Sequence, residues 1–198
     1  MEYNINMLQV ASSQAWLDTV MGDFDSFLQD HADCERKASA MAMSFVAKFP
    51  DRTEIIPELI DIGVEELQHF KQVYKIMEKR GVHLPEGMAK DMYIKRLVSL
   101  CRSTREERFM DRLILASLVE WRGCERFKMI AEALDADQDP ELKRFYQLLW
   151  ESEARHGESF IDMALRYLPE NEVESRLAYM VEEEAKILQG LELRAALH

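Results

Sequence analysis

Two widely separated stretches of the chain repeat one pattern, a Glu and a His three residues apart. The first is Glu66-Leu67-Gln68-His69 and the second is Glu153-Ala154-Arg155-His156. On a helix, residues at this spacing project from one face, one turn above the other. A single such pair is common on solvated helices. Two pairs, each within an apolar stripe, are typical of four-helix bundles that hold two irons or manganeses.

The apolar stripe is clearest in the segment that contains the first pair. Its members follow one another at spacings of 3, 4, 3, 4 and 3: Leu59, Ile62, Glu66, His69, Val73 and Ile76. This periodicity predicts a helix over residues 53–80, ended by Gly81, with the Glu and the His inside a buried seam.

The rest of the chain is predicted to be helical as well, since it holds only 7 Gly and 5 Pro. Further helices are predicted over residues 12–21, 23–48, 88–101, 104–134, 139–168 and 172–189, with a Thr104–Glu107 capping box at the start of the fourth of these. Short loops at 49–52 and 135–139 make two hairpins, joined by one long crossover. The sequence therefore predicts an all-α, ferritin-like four-helix bundle with extra terminal helices, in a single domain spanning 1–198.

Composition restricts the class of protein. A net charge of -12 argues for solubility and against unspecific nucleic-acid binding. The three cysteines, Cys34, Cys101 and Cys124, are odd in number and form no C-x-x-C, so neither a disulfide framework nor a zinc ribbon is indicated. A reducing cytosol fits this usage best, and neither a signal peptide nor a membrane span is predicted. We therefore expect a cytoplasmic protein.

The first and third long helices must supply the remaining carboxylates. Glu35 has mostly small neighbours at one-turn spacings, which leave room for a metal cluster. On the third helix Glu120 and Glu125 lie about 140° apart, so both cannot face the core. Glu120 shares its face with apolar or small residues, whereas Glu125 lies beside Arg122. We choose Glu120 and keep Glu125 as the alternative, either behind the site or paired with Arg122.

Six ligands follow, and their chemistry favours one class of metal. The predicted ligands are Glu35, Glu66, His69, Glu120, Glu153 and His156. Carboxylate-rich ligation without thiolates is typical of non-haem iron or manganese and not of structural zinc. His31, one turn before Glu35, is read either as a partner of that carboxylate or as a core histidine. The acidic run Glu182–Glu184 is expected to be a solvated face.

Four segments carry a resemblance to a known family. They are residues 30–37, 65–70, 120–127 and 152–156, within a similarity that spreads over most of 24–165. In them the chain resembles the tRNA hydroxylases that act on 2-methylthio-N6-isopentenyladenosine beside the anticodon. It departs from related sequences at residues 121–123, where Trp-Arg-Gly replaces Ala-Arg-Ser. The resemblance implies a non-haem di-iron monooxygenase that uses O2 and hydroxylates the isopentenyl side chain of a tRNA substrate.

Other functions and the partners remain open at this stage. The alternatives are another ferritin-like di-iron enzyme, such as a quinone-biosynthesis hydroxylase or a rubrerythrin-type peroxidase, and an iron-storage bundle. The electron donor must be another protein or a reductase, because no flavin, haem or nicotinamide motif is visible. A monomer and a dimer are both compatible with the sequence. The predicted tRNA-binding cations are Lys95, Arg96 and Arg102, beside Lys90, Arg105 and Arg108, and the second choice is Arg122, Arg126, Lys128, Lys143 and Arg144.

Overall fold

The computed structural model describes residues 3–87 and 90–198, and within them the chain is helical and contains no β-strand. A short 3-10 helix, Ile5–Met7, precedes seven α-helices in this described part: α1 (Gln14–Gly22), α2 (Phe24–Lys48), α3 (Ile56–Arg80), α4 (Met92–Ser99), α5 (Arg105–Ala133), α6 (Pro140–Leu165) and α7 (Glu170–Gln189). The all-α prediction is confirmed. The predicted start of the crossover helix, at residue 88, lies outside the described residues.

Side-chain caps set the start of three helices. The carboxylates of Asp23, Asp91 and Asp139 each accept a hydrogen bond from a backbone N–H three residues later, at 3.2, 2.9 and 2.9 Å. These bonds satisfy amides that have no partner within the helix. Gly81 ends α3 with φ of 70°, in the left-handed region that glycine adopts without strain. The boundaries at Asp23, Gly81 and Asp139 agree with the sequence prediction, whereas α4 begins at Met92, after Asp91, and residues 90–91 of the helix predicted over 88–101 are not helical.

Several predicted boundaries are wrong. α4 ends at Ser99 and not at residue 101, α6 ends at Leu165 and not at residue 168, and α7 begins at Glu170 and not at residue 172. α3 begins at Ile56 and not at residue 53, because the chain is still turning at residues 53–55. α5 begins after Thr104 as predicted, but the expected capping box does not form. The Thr104 hydroxyl donates instead to the Glu107 carboxylate at 2.6 Å, and Thr104 makes no side-chain bond to the helix backbone.

The described residues form two compact units. The first, the α2–α3 unit, comprises residues 18–87 and 194–197 and contains the hairpin of α2 and α3. The second, the α5–α6 unit, comprises residues 3–17, 90–193 and 198 and contains the hairpin of α5 and α6 together with α4 and α7. Each predicted hairpin is therefore present, and the crossover joins them. The single domain over 1–198 stays a prediction.

Each unit has an apolar core that its own hairpin supplies. In the α2–α3 unit the hydroxyl of Ser39 donates to the carbonyl of Gly63 at 2.7 Å, so the two helices approach closely at small residues. The buried apolar side chains of this unit include Phe27, Leu28, Phe45, Leu59, Val73 and Met77, and those of the α5–α6 unit include Phe109, Leu113, Phe127, Tyr146, Leu149 and Phe160.

A buried ion pair fastens α7 to α5. The guanidinium of Arg122 donates to both carboxylate oxygens of Glu184, at 2.9 and 3.1 Å, and the hydroxyl of Tyr93 donates to the same carboxylate at 2.9 Å. All three side chains are buried. The prediction of a solvated acidic run is therefore wrong for Glu184. It is confirmed for Glu182, which is exposed and pairs with Lys186 at 2.7 Å.

Candidate metal centre

The α2–α3 unit holds a buried cluster of two carboxylates and an imidazole. Glu35 comes from α2, and Glu66 and His69 come from consecutive turns of α3. Their ligand atoms lie within 4.8 Å of one another. His69 Nδ1 is 3.4 Å from Glu66 Oε2 and 3.6 Å from Glu35 Oε2. We call these three residues the first triad.

His31 supports the first triad from one turn earlier on α2. Its Nε2 lies 2.6 Å from Glu35 Oε1, and both side chains are buried. The bond fixes one oxygen of the carboxylate and leaves the other, Oε2, on the side of His69. The sequence allowed His31 to be either a partner of the Glu35 carboxylate or a core histidine. The structure confirms that His31 is a partner of Glu35.

The α5–α6 unit holds a second cluster of the same composition. Glu120 comes from α5, and Glu153 and His156 come from consecutive turns of α6. All three are buried, and their ligand atoms again lie within 4.8 Å of one another. His156 Nδ1 is 3.3 Å from Glu153 Oε2. We call these residues the second triad, and in each triad one helix supplies a Glu and the next supplies the Glu-x-x-His.

The alternative ligand on α5 is engaged elsewhere. The carboxylate of Glu125 accepts hydrogen bonds from the backbone N–H and the hydroxyl of Ser12, at 2.8 and 2.7 Å, and from the guanidinium of Arg122. Glu125 therefore pairs with Arg122, which is one of the two roles that the sequence suggested for Glu125 if it is not a ligand. The position of Glu120 also matches that of Glu35, since each lies thirteen residues before the end of its helix.

The donor set of the triads fits a hard or borderline divalent metal. Two carboxylates close together in a buried space repel each other, and a cation between them would offset that repulsion and the cost of burial. A thiolate ligand is not indicated, because Cys124 is not among the residues whose ligand atoms cluster in the described part of the chain. Burial, followed by the nearby Glu153 carboxylate, raises the pKa of the Cys124 thiol to about 12. Each triad is thus equipped to contribute to a site for iron or manganese.

A bulky aromatic residue lies directly beside the second triad. Trp121 follows Glu120 on α5 and is fully buried. Its indole reaches Gly157, the residue after His156, so closely that a Cβ at position 157 would lie 2.4 Å from both Cδ1 and Nε1. The bulk of Trp121 is therefore matched by a glycine on α6.

Comparison with known proteins decides the family. A model of the tRNA-(MS[2]IO[6]A)-hydroxylase (MiaE) family matches residues 1–198, the full length of the sequence. The chain belongs to this family. Family membership confirms the resemblance carried by the four motif segments, and it makes the chain an enzyme of the tRNA hydroxylase class.

Two relatives in this family share the same name, tRNA 2-(methylsulfanyl)-N(6)-isopentenyladenosine(37) hydroxylase. The relative from Pseudomonas putida is 31% identical over 184 residues, which cover 93% of this chain and 87% of the relative. The relative from Salmonella typhimurium is 25% identical over 233 residues, with 93% of this chain and 84% of the relative covered. The similarity therefore extends along nearly the full length of both relatives.

A solved structure supports the predicted fold. Protein 43 with aldehyde deformylating oxygenase activity from Synechococcus superposes with a TM-score of 0.89 at 29% identity, covering 97% of this chain and 95% of that one. The family member described here has a ferritin-like fold, as predicted. None of the helices among its described residues is long and apolar enough to cross a membrane.

The cations predicted to bind tRNA differ in their exposure to solvent and in the hydrogen bonds that they already make. Lys95 and Arg96 are exposed on α4, where Arg96 also donates to the Gly190 carbonyl at 3.2 Å. Arg102 is half-buried and donates through Nε and Nη2 to Asp111, at 3.0 and 2.8 Å. Within the second choice, Arg122 and Arg126 are buried and cannot reach a phosphate at the surface, so that part of the prediction is wrong.

Proposed function

We propose that this chain hydroxylates the isopentenyl side chain of 2-methylthio-N6-isopentenyladenosine in tRNA, next to the anticodon. The observation that carries the proposal is the match of the hydroxylase family over residues 1–198. The two buried triads, each with two Glu and one His, supply the donor set that an O2-dependent enzyme of this fold needs.

We infer that the chain holds two irons. The ligands would be Glu35, Glu66, His69, Glu120, Glu153 and His156. The pattern supports this inference, because ferritin-like di-iron proteins use one Glu from each of two helices and a Glu-x-x-His from each of the other two. When bound, a pair of ferrous ions supplies the activation of O2 that hydroxylation of an unactivated carbon requires.

The residues of the chain would prepare this chemistry by orientation and by exclusion of water. The imidazole of His31 holds Oε1 of Glu35, and Oε2 therefore keeps its position beside His69. Because the Glu35 side chain is already fixed, it would lose no conformational freedom when a metal binds. The burial of both triads removes bulk water from the carboxylates, and electrostatic interactions are stronger in such a site. Trp121 and Gly157 fix the approach of α5 and α6 beside Glu120 and His156.

The partners of the enzyme follow from the same reaction. We propose that electrons come from an external electron-transfer protein or a reductase, and that the enzyme, with tRNA as its substrate, works in the cytoplasm. We propose that Lys95 and Arg96 contact tRNA phosphates, because they are exposed cations in a chain whose net charge is -12. Arg102 contributes less directly, since Asp111 holds its guanidinium.

Nucleoside analysis of tRNA tests the function. A strain that lacks the gene should accumulate 2-methylthio-N6-isopentenyladenosine, and the parent gene should restore the hydroxylated form. The Glu66→Ala variant should not restore it, although the protein is expressed. If hydroxylated nucleoside persists in the deletion strain, the substrate is not this nucleoside. The purified chain would then be assayed as a quinone-biosynthesis hydroxylase and as a rubrerythrin-type peroxidase.

A further inference from the structure

Helix α3 carries an apolar stripe on the side that faces solvent. Ile60, Val64, Leu67 and Tyr74 are 42%, 51%, 54% and 37% exposed. Their spacings of 4, 3 and 7 place them within about 40° of one line along the helix. Glu66 and His69 lie about 120° or more away from that line. The helix therefore has a buried seam for the ligands and a second, solvent-facing apolar seam.

The exposed apolar surface extends from this stripe on α3 to a residue of α2. Met43 on α2 is 45% exposed, and its sulfur lies 3.4 Å from the position of a Cβ at Gly63, which precedes Val64. Single exposed hydrophobic residues are normal, whereas several on one line of a helix, here interrupted by Lys71, indicate a surface that another molecule covers. We therefore expect another molecule to cover this row, and the geometry of the row indicates which molecule it is.

The spacing of the stripe is nearly symmetric about Leu67. Ile60 lies seven residues before it and Tyr74 seven residues after it, while Val64 and Lys71 lie three before and four after. If two copies of α3 packed antiparallel about a two-fold axis at Leu67, that residue would meet its own copy. Ile60 would meet the partner's Tyr74. This self-complementary arrangement is the requirement for an isologous dimer interface, and the 3-4 spacing is that of a helix–helix seam.

The charges beside the stripe select the antiparallel orientation. Asp61 lies near its start, and Lys71 and Lys75 lie beyond Leu67. In an antiparallel pair, Asp61 of one copy lies opposite the lysines of the other at both ends of the seam. In a parallel pair, Lys71 lies about 20° from the line of the stripe and would face Lys71 of the other copy, which is unfavourable. The two Asp61 residues would lie on opposite sides of the seam, and neither would face a lysine.

We propose that this surface is the interface of a homodimer, in which α3 packs antiparallel against α3 of a second copy of the chain about an axis at Leu67. The proposal does not depend on the identity of the substrate. It connects the interface to the first triad, because Leu67 directly follows Glu66 on the same helix.

Sedimentation velocity of the full chain tests the proposal. The parent protein should sediment as a dimer, and Leu67→Glu should convert it to a monomer, because two carboxylates would meet at the axis. The matched control is Leu148→Glu on α6, since Leu148 is 50% exposed and lies outside the stripe. The control should stay dimeric. Circular dichroism should show unchanged helicity in both variants.

Cysteine cross-linking tests the orientation in a Cys34→Ser, Cys101→Ser background. Under a mild oxidant, which accepts two electrons and two protons for each disulfide formed, Leu67→Cys should cross-link to itself. Ile60→Cys and Tyr74→Cys should cross-link when mixed and not when each is alone. Self-cross-linking of Ile60→Cys would show a parallel pair and overturn the proposed arrangement.

Charge reversal supplies an independent measurement of the same interface. Asp61→Lys should weaken the dimer, and adding Lys75→Asp should restore it. The proposal is overturned if the parent protein is a monomer at about 100 µM, where a complex of micromolar Kd would be formed. It is also overturned if the protein is a dimer that Leu67→Glu leaves intact. A monomer in which Leu67→Glu instead weakens reduction by an electron-transfer protein would assign the stripe to that partner.

Discussion

The indole of Trp121 occupies the space that a side chain at Gly157 would need. A Cβ built at position 157 lies 2.4 Å from both Cδ1 and Nε1 of the ring, and real Cβ atoms do not approach other heavy atoms so closely. Because Trp121 is fully buried within a packed core, the ring cannot simply rotate away. The two residues are therefore matched in size. Trp121 directly follows Glu120 in the sequence, and Gly157 directly follows His156.

The close packing of Trp121 against Gly157 predicts that a Gly→Ala substitution at position 157 changes stability in the direction opposite to the usual one. In a helix, Gly→Ala ordinarily stabilises by roughly 0.5–1 kcal/mol. Here Gly157→Ala should instead destabilise the protein by about 1–3 kcal/mol, the usual cost of overpacking. In a Trp121→Leu background the same substitution should be close to neutral or stabilising. Urea unfolding of the four proteins in the cycle measures the coupling.

Gly123→Ala is the matched control for that cycle. Gly123 also lies within α5, and a Cβ there would meet only Phe127 Cε2, at an ordinary 3.7 Å. This substitution should leave stability unchanged or raise it. If Gly157→Ala behaves in the same way as Gly123→Ala, the close approach of Trp121 to Gly157 is incorrect.

The assignment on α5 can be tested by metal content. Glu120→Ala should lower the iron bound per chain and alter the iron absorption spectrum, because a buried ligand is lost. Glu125→Ala should leave both unchanged, since that carboxylate bonds Ser12 and Arg122. The opposite pattern would make Glu125 the ligand. Thermal unfolding should show that Glu125→Ala still costs stability, because Arg122 loses a partner.

The ion pair of Arg122 and Glu184 predicts a large loss of stability. Glu184→Ala should destabilise the protein by about 3–5 kcal/mol, because it leaves a guanidinium buried without its main partner. The control is Glu182→Ala, two residues earlier on the exposed face, which should change stability by less than about 0.5 kcal/mol. Chemical denaturation measures both. Equal effects of the two substitutions would contradict the burial of Glu184.

The carboxylate of Asp111 predicts a dependence of stability on pH. Burial alone would raise the pKa of Asp111, but hydrogen bonds from Arg102 and Arg176 outweigh it and hold the pKa below its usual 3.8. A lowered pKa stabilises the fold fully above the usual value, and this stabilisation is lost as the pH falls through the folded-state pKa. The difference in unfolding free energy between the parent and Asp111→Asn should be constant near neutral pH. It should shrink below about pH 4. A difference that does not vary with pH would exclude this role.

Periodicity explains why much of the fold and the triads could be predicted from the sequence. The 3-4 spacing around Glu66 and His69 identifies a buried face without any knowledge of the other helices. The choice of Glu120 over Glu125 also followed from its apolar neighbours, although the iron ligands themselves stay a prediction. The helix ends at Asp23, Gly81 and Asp139 agreed with the structure, because those signals are local.

The errors arose where the deciding contact is distant along the chain. Glu184 lies within an acidic run, and only the approach of Arg122, 62 residues away, shows why one member of the run is buried. Arg122 and Arg126 look like surface cations in the sequence for the same reason. Thr104 illustrates a competition between two partners, since its hydroxyl bonds the Glu107 side chain and not the helix backbone.

The most direct test of the function is the fate of oxygen during turnover. The iron-loaded chain, a reductant and tRNA bearing 2-methylthio-N6-isopentenyladenosine would be incubated under ¹⁸O2, and the digested nucleosides analysed by mass spectrometry. We expect one ¹⁸O atom in the isopentenyl side chain, and none when His156→Ala replaces the parent protein. Unmodified nucleoside after complete incubation, or hydroxyl oxygen derived from water, would contradict an O2-dependent tRNA hydroxylase.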